Sequence, residues 1–188
     1  MNLISLFITS LLTENIVLTK FLGLCPFFGN SNKEKNAVSM GICVTIIITL
    51  SSIITYFIYN FILVPTKTEY LSTLMLILVI ASLVQLLILI IKNKYKKIYK
   101  SLGIYLSLIT TNCAVMGVTL LGINNNYNLI QTIIYSLGSS LGFMMVLYVF
   151  STIRERLRNV PKPFEGIPIA FITAAIMALI FERYIGLW

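Results

Sequence analysis

The chain has 188 residues, 58% of them apolar and only 11% charged, with no histidine and a formal net charge of +8. A soluble domain carries roughly 25% charged residues, so too few polar side chains are present to coat a water-soluble globule. Without imidazole, His-ligated haem, His-based zinc sites, Ser-His-Asp triads and histidine proton relays are excluded.

A helical span needs about 20 mostly apolar residues. The first such run covers Leu3–Leu24. It has no basic start and no small-residue cleavage site, and it runs on past twenty residues, so it reads as a span and not as a cleaved signal peptide. Polar residues interrupt it: Thr13, Glu14 and Asn15 near the middle, then Lys20 and Gly23, with Cys25 and Pro26 directly after. Proline lacks an N–H and disfavours helix at the residue before it, while glycine permits backbone shapes that other residues resist. A break is therefore expected here.

The second run is Ala37–Phe61, where Cys43 sits between Ile42 and Val44 and reads as a small packing residue. The third is Leu71–Ile91. The fourth, Ser101–Gly122, is interrupted like the first, by Thr110, Thr111, Asn112, Cys113 and Gly117. The fifth, Leu129–Ile153, places Gly138 and Gly142 four apart, a spacing that lets a neighbouring helix approach closely. It lacks the strand context and lysine of a phosphate loop. The sixth is Gly166–Trp188, with Glu182 and Arg183 expected at its outer end. The connectors are short. The sequence thus reads as an all-α polytopic membrane protein, one domain over residues 1–188, because a helix satisfies its own backbone hydrogen bonds in lipid.

Basic residues set the orientation. Lys33 and Lys35, then Lys92, Lys94, Lys96, Lys97 and Lys100, then Arg154, Arg156, Arg158 and Lys162 fall in loops one, three and five. The other face holds Lys67 and Arg183. The positive-inside rule puts the eleven-charge face in the cytoplasm and both termini outside. This topology accounts for the basic composition, no RNA or DNA motif is present, and nucleic acid is not expected as a partner.

Spans one and four are interrupted in the same way, and aligning Asn15 with Asn112 brings Leu22-Gly23 close to Leu121-Gly122. They cross in opposite directions. Paired interrupted spans are the sequence mark of an inverted repeat with a site near the midplane, here about 1–91 and 101–188. Geometry makes the first break useful. Counting from Ser101, Cys113 lies about 18 Å below the cytoplasmic face at 1.5 Å per residue. A straight first helix would leave Cys25 near that face, so the Cys25 segment must bend inward if the two cysteines act together. They are either buried packing residues or soft thiolate ligands of the kind iron–sulfur clusters need. A cluster usually takes four thiolates, so two from this chain would need two from a partner.

The runs Lys20-Phe21-Leu22-Gly23-Leu24-Cys25-Pro26-Phe27 and Leu108-Ile109-Thr110-Thr111-Asn112-Cys113-Ala114-Val115 resemble the RnfA/NqrE family of membrane subunits. The resemblance runs nearly end to end and includes Ile153-Arg154-Glu155-Arg156-Leu157, Pro161-Lys162-Pro163-Phe164 and Ala170-Phe171-Ile172-Thr173-Ala174. It implies a subunit of an ion-translocating ferredoxin:NAD oxidoreductase in the bacterial cytoplasmic membrane. It further implies pairing in inverted orientation with a paralogue, RnfE, in company with RnfB, RnfC, RnfD and RnfG. On that basis Cys25 and Cys113 are two of the four ligands of one shared [2Fe–2S] cluster, which relays electrons across the bilayer in a process coupled to Na+ or H+ movement.

Three positions depart from the family pattern. Val84-Gln85-Leu86-Leu87-Ile88 carries Ile88 where a Glu is common, which puts a cation-handling carboxylate in this span in doubt. Glu14 stands where RnfA members often have Asn, a feature closer to NqrE, and Ser107 replaces a common proline. An NqrE-like subunit of the sodium-pumping NADH:quinone reductase is therefore the nearest alternative. A secondary transporter with substrate at the broken helices is a second, and a purely structural anchor a third. Intramembrane charges are functional candidates. Lys20 either snorkels to the cytoplasmic face or offsets the negative charge of a thiolate-bound cluster.

Overall fold

The computed structural model describes residues 3–29, 34–64, 72–94, 112–157 and 166–185. Among them every regular element is helical. In chain order these are α1 (Leu3–Ile8), a π-helical turn (Thr9–Thr13), α2 (Ile16–Thr19), α3 (Leu24–Gly29) and α4 (Glu34–Ile58). A second π-helical turn (Tyr59–Leu63) continues α4. Then follow α5 (Ser72–Lys94), α6 (Cys113–Asn124), α7 (Leu129–Arg156) and α8 (Ile167–Ile185).

Two stretches, Ala37–Phe61 and Leu129–Arg156, are long and apolar enough to cross a membrane, and they coincide with the expected second and fifth spans. Local chemistry fixes the ends of α7. The Asn128 N–H donates to Gln131 Oε1 at 3.0 Å at its start. Arg154 and Arg156 occupy its last turn, where cations complement the helix dipole.

The helices α4 and α7 form the central pair. Met40, Val44 and Ile48 of the first share one core with Phe143, Leu147 and Phe150 of the second. Cys43, half-buried, packs against that core, as its setting between Ile42 and Val44 suggests. The glycine pair on α7 admits the first span closely. A Cβ on Gly142 would lie 2.7 Å from the Leu11 carbonyl oxygen, and Gly138 abuts Ser10 and the Phe7 carbonyl. Outward stripes stay apolar at helical spacing: Ile42, Ile46 and Leu50 on α4, and Ile172, Ile176 and Leu179 on α8 are exposed. Such stripes suit a lipid environment.

Except for Asn125–Asn128 between α6 and α7, the connectors lie outside the described residues, as do most of the basic loop residues, Ser107, the first half of the expected fourth span, Trp188 and the side chain of Ile88. Glu182 and Arg183 are exposed near the end of α8.

Candidate functional site

The first expected interruption is a real break and the second is a helix start, and both are built on an asparagine. Asn15 leaves helical geometry at φ −65°, ψ 114°, and its side chain accepts the Val17 N–H at 3.2 Å to start α2. Asn112 does the same at φ −72°, ψ 109°, accepting the Ala114 N–H at 3.0 Å to start α6. A short side-chain oxygen at the helix entrance satisfies a backbone donor that would otherwise be orphaned in an apolar setting. The two caps then diverge. Asn15 Nδ2 donates to the Gly142 carbonyl at 3.0 Å, and the bare Gly142 allows that approach. Asn112 Nδ2 is buried and has no partner among the described residues.

After α2 the first span turns again. Phe21 and Gly23 adopt positive φ, 54° and 88°, a left-handed conformation that costs glycine little and phenylalanine more. The turn redirects the chain. Asn15 and Gly23 both meet the same turn of α7, at Gly142 and Phe143. Eight residues of straight helix would have advanced about 12 Å. The inward bend expected from the sequence is thus produced by a double break at Asn15 and Gly23, and not by Pro26. Pro26 instead lies in the first turn of α3, where its missing N–H costs little.

The bend delivers the Cys25 segment to Cys113. The Gly23 N–H donates to Cys113 Sγ at 2.9 Å, and Cys25 follows two residues later. A side chain at Gly23 would press on the Phe143 ring at 2.8 Å and on Ala114 Cβ at 3.1 Å. Cys25 is exposed and Cys113 half-buried. Beyond Cys25, α3 is held by aromatic rings. Phe27, fully buried, stacks on Phe150 with centroids 4.2 Å apart, and Phe28 lies 4.4 Å from Phe171. Arg154 Nη1 donates to the Phe28 carbonyl at 2.9 Å, a cation at the C-terminal end of α3.

Glu14 and Lys20 are both exposed. The Glu14 N–H closes the first π-helical turn on the Thr9 carbonyl at 2.7 Å, and Lys20 ends α2. Among the described residues no three His, Cys, Asp or Glu side chains gather to hold a metal ion, so this chain presents at most a pair of thiols. Sequence reasoning missed the Gly23 amide as a donor to sulfur. A backbone donor leaves no side-chain mark in the sequence.

A family model described as the Rnf-Nqr subunit, membrane protein, matches residues 3–187. The chain belongs to the Rnf-Nqr family of membrane proteins. Several relatives of this Rnf-Nqr chain match it over nearly their whole length. It is 48% identical over 189 residues to the A subunit of the Na(+)-translocating ferredoxin:NAD(+) oxidoreductase complex of Acetobacterium woodii, covering 100% of this chain and 98% of that one. It is 48% identical over 184 residues to the A subunit of the ion-translocating oxidoreductase complex of Vibrio cholerae, covering 97% and 95%. The counterpart of the same name from Actinobacillus pleuropneumoniae is 47% identical over 186 residues, covering 98% and 96%. Membership of the Rnf-Nqr family agrees with the apolar, all-helical fold seen among the described residues.

Proposed function

We propose that this chain is the A-type membrane subunit of an ion-translocating ferredoxin:NAD oxidoreductase, and that Cys25 and Cys113 supply half of the ligands of a [2Fe–2S] cluster whose other half comes from the RnfE paralogue. The carrying observation is the Gly23 N–H donated to Cys113 Sγ. It ties the two broken segments together at one sulfur and leaves the second sulfur, Cys25, exposed to a partner.

The donor set fits the group. Two soft sulfur ligands, one steadied by an amide and one facing outward, suit half of a four-thiolate cage. A cluster so held takes up and gives back one electron. The chain's own contribution is positional. Asn15, Phe21 and Gly23 fold the first span back, and Asn112 starts α6 so that Cys113 stands at its first turn. Phe27 and Phe28 lock the Cys25 helix onto α7 and α8.

The wider frame belongs to the same reading. Six spans form two inverted three-helix repeats in the bacterial cytoplasmic membrane, with both termini outside and Na+ or H+ movement coupled to electron flow. RnfB, RnfC, RnfD and RnfG complete the complex. The matched Asn15 and Asn112 caps support the repeat. The ferredoxin:NAD name of the Acetobacterium woodii relative favours this assignment over a quinone reductase subunit.

The test is anaerobic co-purification of the chain with its paralogue, with iron and sulfide assayed and the paramagnetic spectrum of the reduced pair recorded. Two irons and two sulfides per pair are expected for a [2Fe–2S] cluster, with the signal lost in Cys25→Ser and in Cys113→Ser. An iron-free pair would overturn the assignment.

A further inference from the structure

Arg154 is one of the basic residues that set the orientation, a role that needs only a cation in water. Its neighbours Glu155 and Arg156 are exposed, but Arg154 is half-buried. A charged head leaves water at low cost only where partners replace its hydration. Here Arg154 Nη1 donates to the Phe28 carbonyl at 2.9 Å, across 126 positions of sequence. An ionised donor makes such a bond roughly twice as strong as a neutral one does.

The bond falls on the short helix that carries Cys25. α3 has six residues, and a helix so short does not hold its shape by itself. Ahead of it, the Gly23 N–H is fixed on Cys113 Sγ at 2.9 Å. Near its last residue, the Phe28 carbonyl is fixed by Arg154. Cys25 lies between these two points, two residues after Gly23 and three before Phe28. The stacked rings of Phe27 on Phe150 and of Phe28 on Phe171 hold the helix from the sides. Apolar contact is non-directional, however, and lets a helix turn or slide, whereas a hydrogen bond fixes direction. Residues three apart share one side of a helix, so turning Phe28 turns Cys25 with it. On α7, Phe150 and Arg154 stand four apart on one face. Phe150 takes both rings, and Arg154 takes the carbonyl.

We infer that Arg154 is a positioning residue for the cysteine pair: together with the Gly23 amide it clamps the Cys25 helix at two points and sets the distance and direction of the Cys25 sulfur from Cys113. Lysine would keep the charge, but its ammonium is a point donor where the planar guanidinium fork fixes direction. The inference rests on the proposed pairing of Cys25 with Cys113, and its first test needs no cluster.

The test compares Arg154→Gln, Arg154→Lys and the control Arg156→Gln in the full chain in detergent, each with Cys43→Ser. A short thiol-bridging reagent reads the approach of Cys25 to Cys113, and a monofunctional maleimide reads each thiol singly. Arg154→Gln is expected to slow bridge closure, relative to single labelling, roughly tenfold, the weight of one charged hydrogen bond. Arg154→Lys should fall between it and the parent, and Arg156→Gln should match the parent. Bridging unchanged in Arg154→Gln, or slowed as much in Arg156→Gln, would overturn the inference. The same variants are labelled with Cys43 retained. Fast labelling of that core thiol in Arg154→Gln would mark general unfolding, and the decision then passes to Arg154→Lys. Slowed bridging there with Cys43 still protected supports the clamp, and bridging equal to the parent overturns it. In the purified complex, Arg154→Gln is expected to broaden the paramagnetic signal of the reduced pair, because a freer Cys25 samples more ligand geometries. A signal as sharp as the parent's at full iron would overturn the positioning role. A parent complex without iron, whose bridging still depends on Arg154, would refute the cluster and leave the clamp standing.

Discussion

The two broken spans solve one problem with different amounts of structure. At Asn112 one capping side chain suffices, and Cys113 follows at once as the first residue of α6. At Asn15 the same cap with nearly the same dihedrals leaves Cys25 ten residues away. The first span therefore needs a second turn at Phe21–Gly23, a contact with Gly142 and an aromatic anchor at Phe27. A sulfur beside its cap inherits its position from the cap. A sulfur remote from its cap must be carried there by packing, and is correspondingly easier to misplace.

That contrast can be broken from the side of the first span. Phe27 is fully buried against Phe150, so Phe27→Ala should cost about 3–5 kcal/mol. It should loosen Cys25 while leaving Cys113 as protected as before, read by thiol-labelling rates at each cysteine in turn. Equal loosening of both would merge the two breaks into one unit. Gly23→Ala is the next largest. It combines a left-handed backbone with a contact on Phe143 that must give way, together about 2–4 kcal/mol, measured by detergent-state thermal unfolding. It should also raise the labelling rate of Cys113, whose sulfur loses a well-placed amide.

The asparagines sharpen the comparison. Asn15→Ala removes a cap and a buried bond to Gly142 and should cost about 1–3 kcal/mol. Asn112→Ala removes a cap alone, because its amide nitrogen is unpartnered among the described residues, and should cost about 1 kcal/mol in the isolated chain. A larger loss at Asn112 would contradict the asymmetry. The smallest effect is expected at Lys20. Its exposure weakens its field, so Lys20→Met should lower the reduction potential of a cluster at the two cysteines only slightly, read by redox titration. An unchanged midpoint would remove Lys20 from the site.

Much of this was legible in the sequence because each feature had a local cause. The apolar run interrupted by Thr-Glu-Asn announced a break where it occurs, and Asn-Cys in the fourth run announced the helix start at Asn112. The Gly138 and Gly142 spacing announced the close approach of the first span. Pro26 misled as to the cause of the bend, since a proline marks a break equally well from just inside the next helix. The Gly23 amide and the ring stack of Phe27 on Phe150 were not readable. The first has no side chain, and the second joins residues 123 positions apart.

The central claim is that the doubly broken first span holds Cys25 beside Cys113 before any partner arrives. It is tested most directly by a short thiol-bridging fluorophore applied to the Cys43→Ser chain in detergent without its paralogue. A bridged, fluorescent product containing both peptides is expected, and it should vanish in Cys25→Ser and Cys113→Ser. Two thiols that each react singly, yet never with the same bridge, would contradict it.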